Sequence, residues 1–162
     1  MRIAYFDCFS GISGDMCLGA VISAGVDAAE LRDALAKLPV RGYELRWEKI
    51  KANGISAVNV FVDINEEEQP ERCLDEIKQI IDNSELPEKV KKGSLAVFSR
   101  LAAAEATIHD TTPEKIHFHE VGAIDAIVDV VGTVLGLNLL GVERVYASPL
   151  PMGKGLIHCR HG

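Results

Sequence analysis

The segment KIHFHEVGAIDAIVDVVG, residues 115–132, joins a polar cluster to one of the most apolar runs of the chain. The apolar run predicts a buried helix over about residues 120–140, yet Asp125 and Asp129 lie inside it. These aspartates are four residues apart, a spacing that puts both on one helix face. Burying an unpaired carboxylate costs on the order of several kcal/mol. The segment therefore predicts carboxylates that are either satisfied by neighbours or hold a ligand.

Histidines precede this helix. His117 and His119 alternate, so they would point the same way in an extended segment. Imidazole and carboxylate together suit first-row divalent metals such as nickel, manganese, iron or zinc. The structural alternative is a network at the helix start, with Glu120 in the first turn and Asp125 bonded to a neighbouring strand or loop. The pattern alone leaves both interpretations open.

A second motif, FDCFSGISGDM at residues 6–16, leads from an apolar strand through a Gly/Ser turn into a helix. Backbone N–H groups at such a turn can bind an anion such as phosphate. The glycine spacing matches neither G-x-G-x-x-G nor a Walker A loop, since no Lys follows. The alternative is a tight connection capped by Ser13 or Asp15. The candidate cofactor-binding residues of this motif are Asp7, Ser10, Gly11, Ser13, Gly14 and Asp15.

Composition restricts the possible partners. The 162 residues are 48% hydrophobic and 25% charged, with a net charge of −7, which suits one compact domain. The acidic balance argues against nucleic acid and against an anionic membrane surface as partners. The four cysteines form no C-x-x-C pair, which argues against a zinc ribbon. We expect a soluble cytoplasmic protein with free thiols and no membrane association.

The other segments alternate between strand and helix patterns. Residues 1–7 predict an inner strand, and Asn53-Gly54 predicts a hairpin turn between two longer strands. Asp27 is expected to cap a helix. The class is α/β: a mixed β-sheet with helices packed on it, in a single compact domain. The predicted helices are 16–26, 27–38, 71–82, 87–109 and 120–140, and the predicted strands are 1–7, 43–54, 55–64 and 142–150.

Four motifs together resemble a known family. FDCFSGISGDMCLGA, AEATIHD, IHFHEVGAIDAIVDVVG and SPLPMGKGLIHCRHG are similar to sequences of the nickel-insertion family of the lactate racemase system, the LarC-type nickel-pincer cofactor synthases. The resemblance covers the chain from end to end. Members of that family are longer, so residues 1–162 are expected to be an N-terminal domain, truncated at its C-terminus.

The resemblance implies a role in nickel-pincer cofactor biosynthesis. The family inserts Ni(II) into pyridinium-3,5-bisthiocarboxylic acid mononucleotide in a CTP-dependent reaction that uses Mn²⁺ or Mg²⁺. The chain is thus expected to belong to a nickel chelatase of the lyase class, an activity that the fragment alone need not show. A lactate racemase-type apoenzyme is the implied downstream partner, and homo-oligomerisation is open. The alternatives are a non-catalytic nickel-binding or delivery module and a metal-dependent phosphohydrolase.

The resemblance gives the candidate residues something to bind, but it does not assign which of them bind nickel, the mononucleotide or CTP. A mononucleotide phosphate would bind the Ser10–Gly14 turn. Forming a nickel–carbon bond requires loss of a ring proton, for which Glu120 or Asp125 is an apt base. The strand–helix turn places Asp7 and Asp15 at one end of the sheet, and the helix after Glu120 is expected to begin there too. The Ser10–Gly14 turn and the His117–Asp125 segment should therefore lie side by side, with the Cα atoms of Asp15 and His119 within about 20 Å of each other. The candidate metal ligands are His109, His117, His119, Glu120, Asp125, Asp129 and His161.

Overall fold

Helices and strands alternate along the chain, and the computed structural model describes residues 1–65, 72–118 and 122–153. The mixed α/β class is confirmed. The strands are β1 (Ile3–Phe6), β2 (Tyr43–Ala52), β3 (Ile55–Ile64), β4 (Arg72–Cys73), β5 (His117–Phe118) and β6 (Arg144–Ala147). The helices are α1 (Gly14–Ser23), α2 (Ala28–Leu35), α3 (Leu74–Asp82), α4 (Glu88–Ile108) and α5 (Ile124–Leu139), with a 3-10 turn at Pro113–Lys115.

The described strands form three two-stranded sheets. β1 pairs with β6 in parallel, whereas β2 with β3 and β4 with β5 are antiparallel. The prediction of β1 as an inner strand is wrong for the described residues, because β6 is its only strand neighbour there. An apolar run marks a strand, but it does not specify how many neighbours the strand has.

Local sequence signals set most element boundaries. Asn53 and Gly54 have φ values of 50° and 84°, as the predicted tight turn between β2 and β3 requires. The Asp27 carboxylate accepts hydrogen bonds from the N–H groups of Ala29 and Glu30, so the predicted cap of α2 is confirmed. The helix predicted from residue 71 begins only at Leu74, because the two preceding residues pair with β5.

The core is built around α5, which packs against α1, α2 and α4. Its buried aliphatic side chains include Ile127, Val128, Val131 and Leu135. Burying each such side chain contributes about 1.5–3 kcal/mol. This packing explains why the run of residues after 123 is apolar on most sides, as a buried helix requires.

The helices α1 and α5 lie in close parallel contact. Three pairs of residues follow each other in the same direction along both helices: Gly14 with Asp129, Leu18 with Gly132, and Val21 with Gly136. Each pair includes a glycine, so the two backbones approach closely. This contact brings the start of α1 onto the second turn of α5 and so positions the candidate site.

No helix among the described residues combines the length and the apolar character needed to cross a membrane.

Candidate functional site

The two motifs singled out in the sequence meet where α1 begins. Gly14 is the first residue of α1, and a Cβ added there would overlap the carboxylate and the Cβ of Asp129. Only glycine leaves room for this contact. Asp129 follows the His117–Asp125 segment, so this contact brings the two motifs together at Asp129, while the predicted proximity of the Ser10–Gly14 turn and the His117–Asp125 segment stays a prediction. We call Gly14, Asp15, Asp125 and Asp129 the acidic junction.

Asp129 is the most perturbed carboxylate of the junction. Its Oδ1 is buried and has no hydrogen-bond partner among the described residues. Burial, followed by the negative charges of Asp15 and Asp125, raises the pKa of Asp129 from 3.8 to about 6. A helix N-terminus favours a nearby anion, but here burial and like charge outweigh that effect. A divalent cation bound here would reduce the repulsion among these carboxylates, and it would also give the Oδ1 atom of Asp129 a partner.

Cys17 adjoins this carboxylate, although no role was inferred for it from the sequence. Burial raises the pKa of the Cys17 thiol, a hydrogen bond with Thr133 lowers it, and the nearby Asp129 raises it again. Thr133 follows Asp129 by four residues on α5, so it lies on the same helix face. The helical spacing could have identified Thr133. It could not have identified Cys17, which lies on another helix.

The predicted anion-binding turn precedes α1. Gly11 has a φ of 93°, and its N–H donates to the Cys8 carbonyl at 3.0 Å. Ser13 occupies the N-cap position, but its hydroxyl donates to the Asp15 carboxylate and makes no capping hydrogen bond. Asp7 and Cys17 line one small cavity of about 230 Å³ together with this turn. The carboxylates around the turn disfavour a bare phosphate and favour a cation or a phosphate with a bound cation.

The described histidines lie outside the acidic junction. His117 is exposed on β5, where it faces Cys73 in register. Its charge is a minor influence on Glu76, whose pKa is lowered chiefly by a hydrogen bond from the Cys73 N–H. His109 lies at the C-terminal end of α4, with its Nε2 3.4 Å from a Glu105 carboxylate oxygen.

The remaining candidate residues leave the metal site incomplete. Within residues 1–65, 72–118 and 122–153, no three His, Cys, Asp or Glu side chains are grouped so that they could hold a metal ion. Asp125 is exposed at the start of α5. His119, Glu120 and His161 lie outside the described residues, as does the predicted distance from Asp15 to His119.

A larger cavity lies at the other end of α1. It has a volume of about 660 Å³ and is lined by Ser23, Trp47 and Lys49, among others. None of the candidate residues that the structure describes lines it. The described candidate residues therefore lie away from this cavity.

Comparison with known proteins identifies relatives along the whole chain. The family described as nickel insertion protein matches residues 4–162. A protein of Desulfitobacterium hafniense named pyridinium-3,5-bisthiocarboxylic acid mononucleotide nickel insertion protein is 51% identical over 162 residues. That match covers 100% of this chain and 40% of the relative. A protein of Gloeobacter violaceus, also named for nickel insertion, is 50% identical over 164 residues, covering 100% of this chain and 39% of the relative.

The chain thus spans about two fifths of the length of the curated relatives it matches. No solved structure matches it. The identity of about one half and the match over nearly all residues establish the family. This chain belongs to the nickel insertion protein family.

Proposed function

We propose that this chain handles Ni(II) during its insertion into pyridinium-3,5-bisthiocarboxylic acid mononucleotide, in the biosynthesis of a nickel-pincer cofactor. The observation that carries the proposal is the acidic junction, where Gly14 of one motif meets Asp129 of the other, and where the buried Oδ1 of Asp129 has no partner in the part of the chain that the structure describes. The name of the Desulfitobacterium hafniense relative supplies the substrate. Nickel here is a substrate that passes through the site.

In this proposal the protein supplies only part of the nickel coordination. Asp129 and Asp125 offer carboxylate oxygens, and the substrate itself brings two sulfur donors. A site shared in this way needs fewer than three protein ligands from the described residues, in keeping with the incomplete group found there. His117, His119 and Glu120 are proposed to complete the site, because imidazole suits nickel better than it suits magnesium.

The proposal also requires a base. As the nickel–carbon bond forms, the ring C–H bond breaks and its proton moves to a carboxylate. Asp125 is exposed beside Asp129 and can accept a proton directly from a bound ring. Glu120 is the alternative base. The turn at Asp7, Ser10 and Gly11 is proposed to hold the mononucleotide phosphate, with a cation offsetting the nearby carboxylates.

The finer features of the reaction remain part of the proposal. They comprise CTP dependence, a requirement for Mn²⁺ or Mg²⁺, a lyase-class mechanism, a cytoplasmic location and delivery to a lactate racemase-type apoenzyme. Family membership supports this set as a whole. It gives no support to the phosphohydrolase alternative.

A second candidate is a nickel-binding module without catalysis of its own. The observation that favours it is the short span of the chain, about two fifths of the curated relatives. In that case the CTP chemistry belongs to the rest of the full-length protein. The two candidates differ in whether this chain alone binds the mononucleotide or CTP.

Calorimetric titration with NiCl₂ tests the proposal. We expect Asp129→Asn to weaken nickel binding by at least about tenfold, because it removes a charged ligand without changing the shape of the side chain. The matched control is Asp82→Asn, an exposed change at the end of α3 that should leave the affinity unchanged. Repeating the titration with the thiolated mononucleotide present should increase the affinity of the parent chain.

A second variant tests the contribution of the histidines to nickel binding separately from that of the carboxylates. The double change His117→Ala and His119→Ala should also weaken nickel binding, and the exposed position of His117 predicts little loss of stability. Unchanged affinity in both the Asp129 variant and the histidine variant would contradict the proposed site. Binding of nickel without any response to the mononucleotide would favour the non-catalytic module.

A further inference from the structure

The pair β1–β6 exposes an apolar face. Ile3, Tyr5 and Tyr146 have exposed fractions of 48%, 64% and 49%. Tyr5 and Tyr146 are register partners, and Ile3 lies two residues from Tyr5, so all three share one side of the sheet, together with the exposed Arg144 that is the register partner of Ile3. Single exposed apolar residues are ordinary, but a contiguous patch marks a contact surface. We call these three side chains the outer face.

The backbone of β1 also has a free edge. The carbonyl oxygens of Arg2 and Phe6 accept hydrogen bonds from N–H groups on the β6 side. Because backbone groups point to alternate sides along a strand, those of Ile3 and Tyr5 point away from β6. Within the described part of the chain, β1 has no strand on that side. Such a row of unpaired groups is a template for another strand.

A groove runs along this free edge. It has a volume of about 540 Å³, and its walls are β1 on one side and α1 with the end of α5 on the other. The exposed Ala20 of α1 and Ala24, the residue that follows this helix, line the groove, whereas no residue of β6 does. The four residues of β1 give an edge of about 13 Å. The groove therefore offers backbone groups and a small apolar wall to an extended segment.

We propose that, in full-length proteins of this family, polypeptide from outside the region equivalent to these 162 residues adds a strand to β1 and covers the outer face. Parallel strands are normally buried on both faces, and a sheet of two strands is marginal alone. The curated relatives have more than half of their length outside the matched region, so they contain enough chain for this role.

A second copy of this chain fits the surface less well. The net charge of −7 makes two copies repel each other. Contacts between the three large side chains of the outer face would have to outweigh this repulsion. The inference rests on family membership and on the β1 edge. It does not depend on nickel binding, so it stands or falls independently of the proposed function.

Hydrogen–deuterium exchange tests this inference on the full-length Desulfitobacterium hafniense relative and on a fragment of it trimmed to the matched region. In the full-length protein, the amides aligned with Ile3 and Tyr5 should exchange at least about a hundredfold more slowly than in the fragment. The amide aligned with Val60, inside the β2–β3 ladder, should be protected in both and serves as the control. This 162-residue chain should behave as the fragment does.

The melting temperature of a Tyr5 variant and the oligomeric state of this chain also test the inference. Tyr5→Glu in this chain should leave its melting temperature unchanged, as should the control Ile55→Glu, whose side chain is 72% exposed on the hairpin. Sedimentation should show a monomer. Rapid exchange at the two β1 amides in the full-length relative would overturn the inference. A stable dimer of this chain with those amides protected would also overturn it, because the second copy would then be the occupant.

Discussion

Asp129 is a residue whose position lowers the stability of the fold at neutral pH. Its pKa in the folded protein is about 6, above its ordinary value of 3.8, so the folded state holds the proton more tightly than the unfolded state does. The contribution of Asp129 to the free energy of unfolding therefore becomes more favourable as the pH falls from above 6 toward 3.8. Above pH 6 the ionised carboxylate is penalised by burial and by its acidic neighbours.

We accordingly expect Asp129→Asn to be more stable than the parent at pH 7.5, since the amide has no charge to bury. The advantage should shrink as the pH falls and vanish below the ordinary aspartate pKa of 3.8. Urea unfolding at several pH values measures this difference, with Asp82→Asn as the control for a general effect of the substitution. Parallel pH profiles for Asp129→Asn and the parent would contradict the expectation.

Asp129 also shows which features of the site the sequence can predict. An aspartate inside an apolar helix is visible in the sequence as a group that needs a partner. Its spacing from Asp125 also predicts that both lie on one face of α5. Its contact with Gly14 is not predictable from helical periodicity, because it depends on how two helices distant in the chain pack together. Cys17 was missed for the same reason.

The α1–α5 pair is the element on which the site depends. A Cβ at Gly136 would lie 2.9 Å from the Val21 Cβ, and still closer to one of its methyl groups. We expect Gly136→Ala to destabilise the protein, because overpacking costs about 1–3 kcal/mol and exceeds the gain of about 1 kcal/mol in helix propensity. Adding Val21→Ala should recover part of this loss, since it removes the obstructing methyl groups.

A double-mutant cycle on the free energy of unfolding measures that coupling. The single Val21→Ala variant gives the cost of the lost methyl groups alone. Strictly additive effects would mean that the two helices do not meet at this pair.

Element boundaries were predictable where a capping or turn residue marks them, as with Asp27 and Asn53-Gly54. They were less predictable where pairing with a distant strand decides the outcome. Arg72 and Cys73 continue a helical pattern in the sequence, yet they pair with β5 and delay the start of α3. The single neighbour of β1 is a similar case, because strand order depends on the whole chain.

On the scale of the whole molecule, the groove beside β1 and the small cavity at the turn before α1 are neighbours. β1 leads directly into the turn before α1, and Tyr5 and Phe6 line both the groove beside β1 and the small cavity at that turn. A segment bound along β1 would therefore border the turn that leads into the acidic junction. This arrangement would let the rest of a full-length protein complete a site that the described residues hold only in part.

Nickel binding should also be visible in the unfolding of the whole molecule. A ligand that binds only the folded state at a hundredfold excess over its Kd stabilises it by about 2.7 kcal/mol. In a domain of this size, 1 kcal/mol raises Tm by about 2–4 °C, so saturating nickel should raise Tm by about 5–10 °C. Differential scanning calorimetry at pH 7.5 measures the shift, and EDTA should reverse it.

The variant Asp129→Asn tests whether the nickel that raises Tm binds at the acidic junction. Without metal it should melt above the parent, because it lacks the buried charge, yet with nickel it should gain much less. The difference between the two melting temperatures should therefore become smaller, or change sign, when nickel is added. General stabilisation by a divalent cation would instead raise both proteins alike, and magnesium at the same concentration serves to detect it. Equal nickel shifts in parent and variant would show that the ion binds away from the acidic junction.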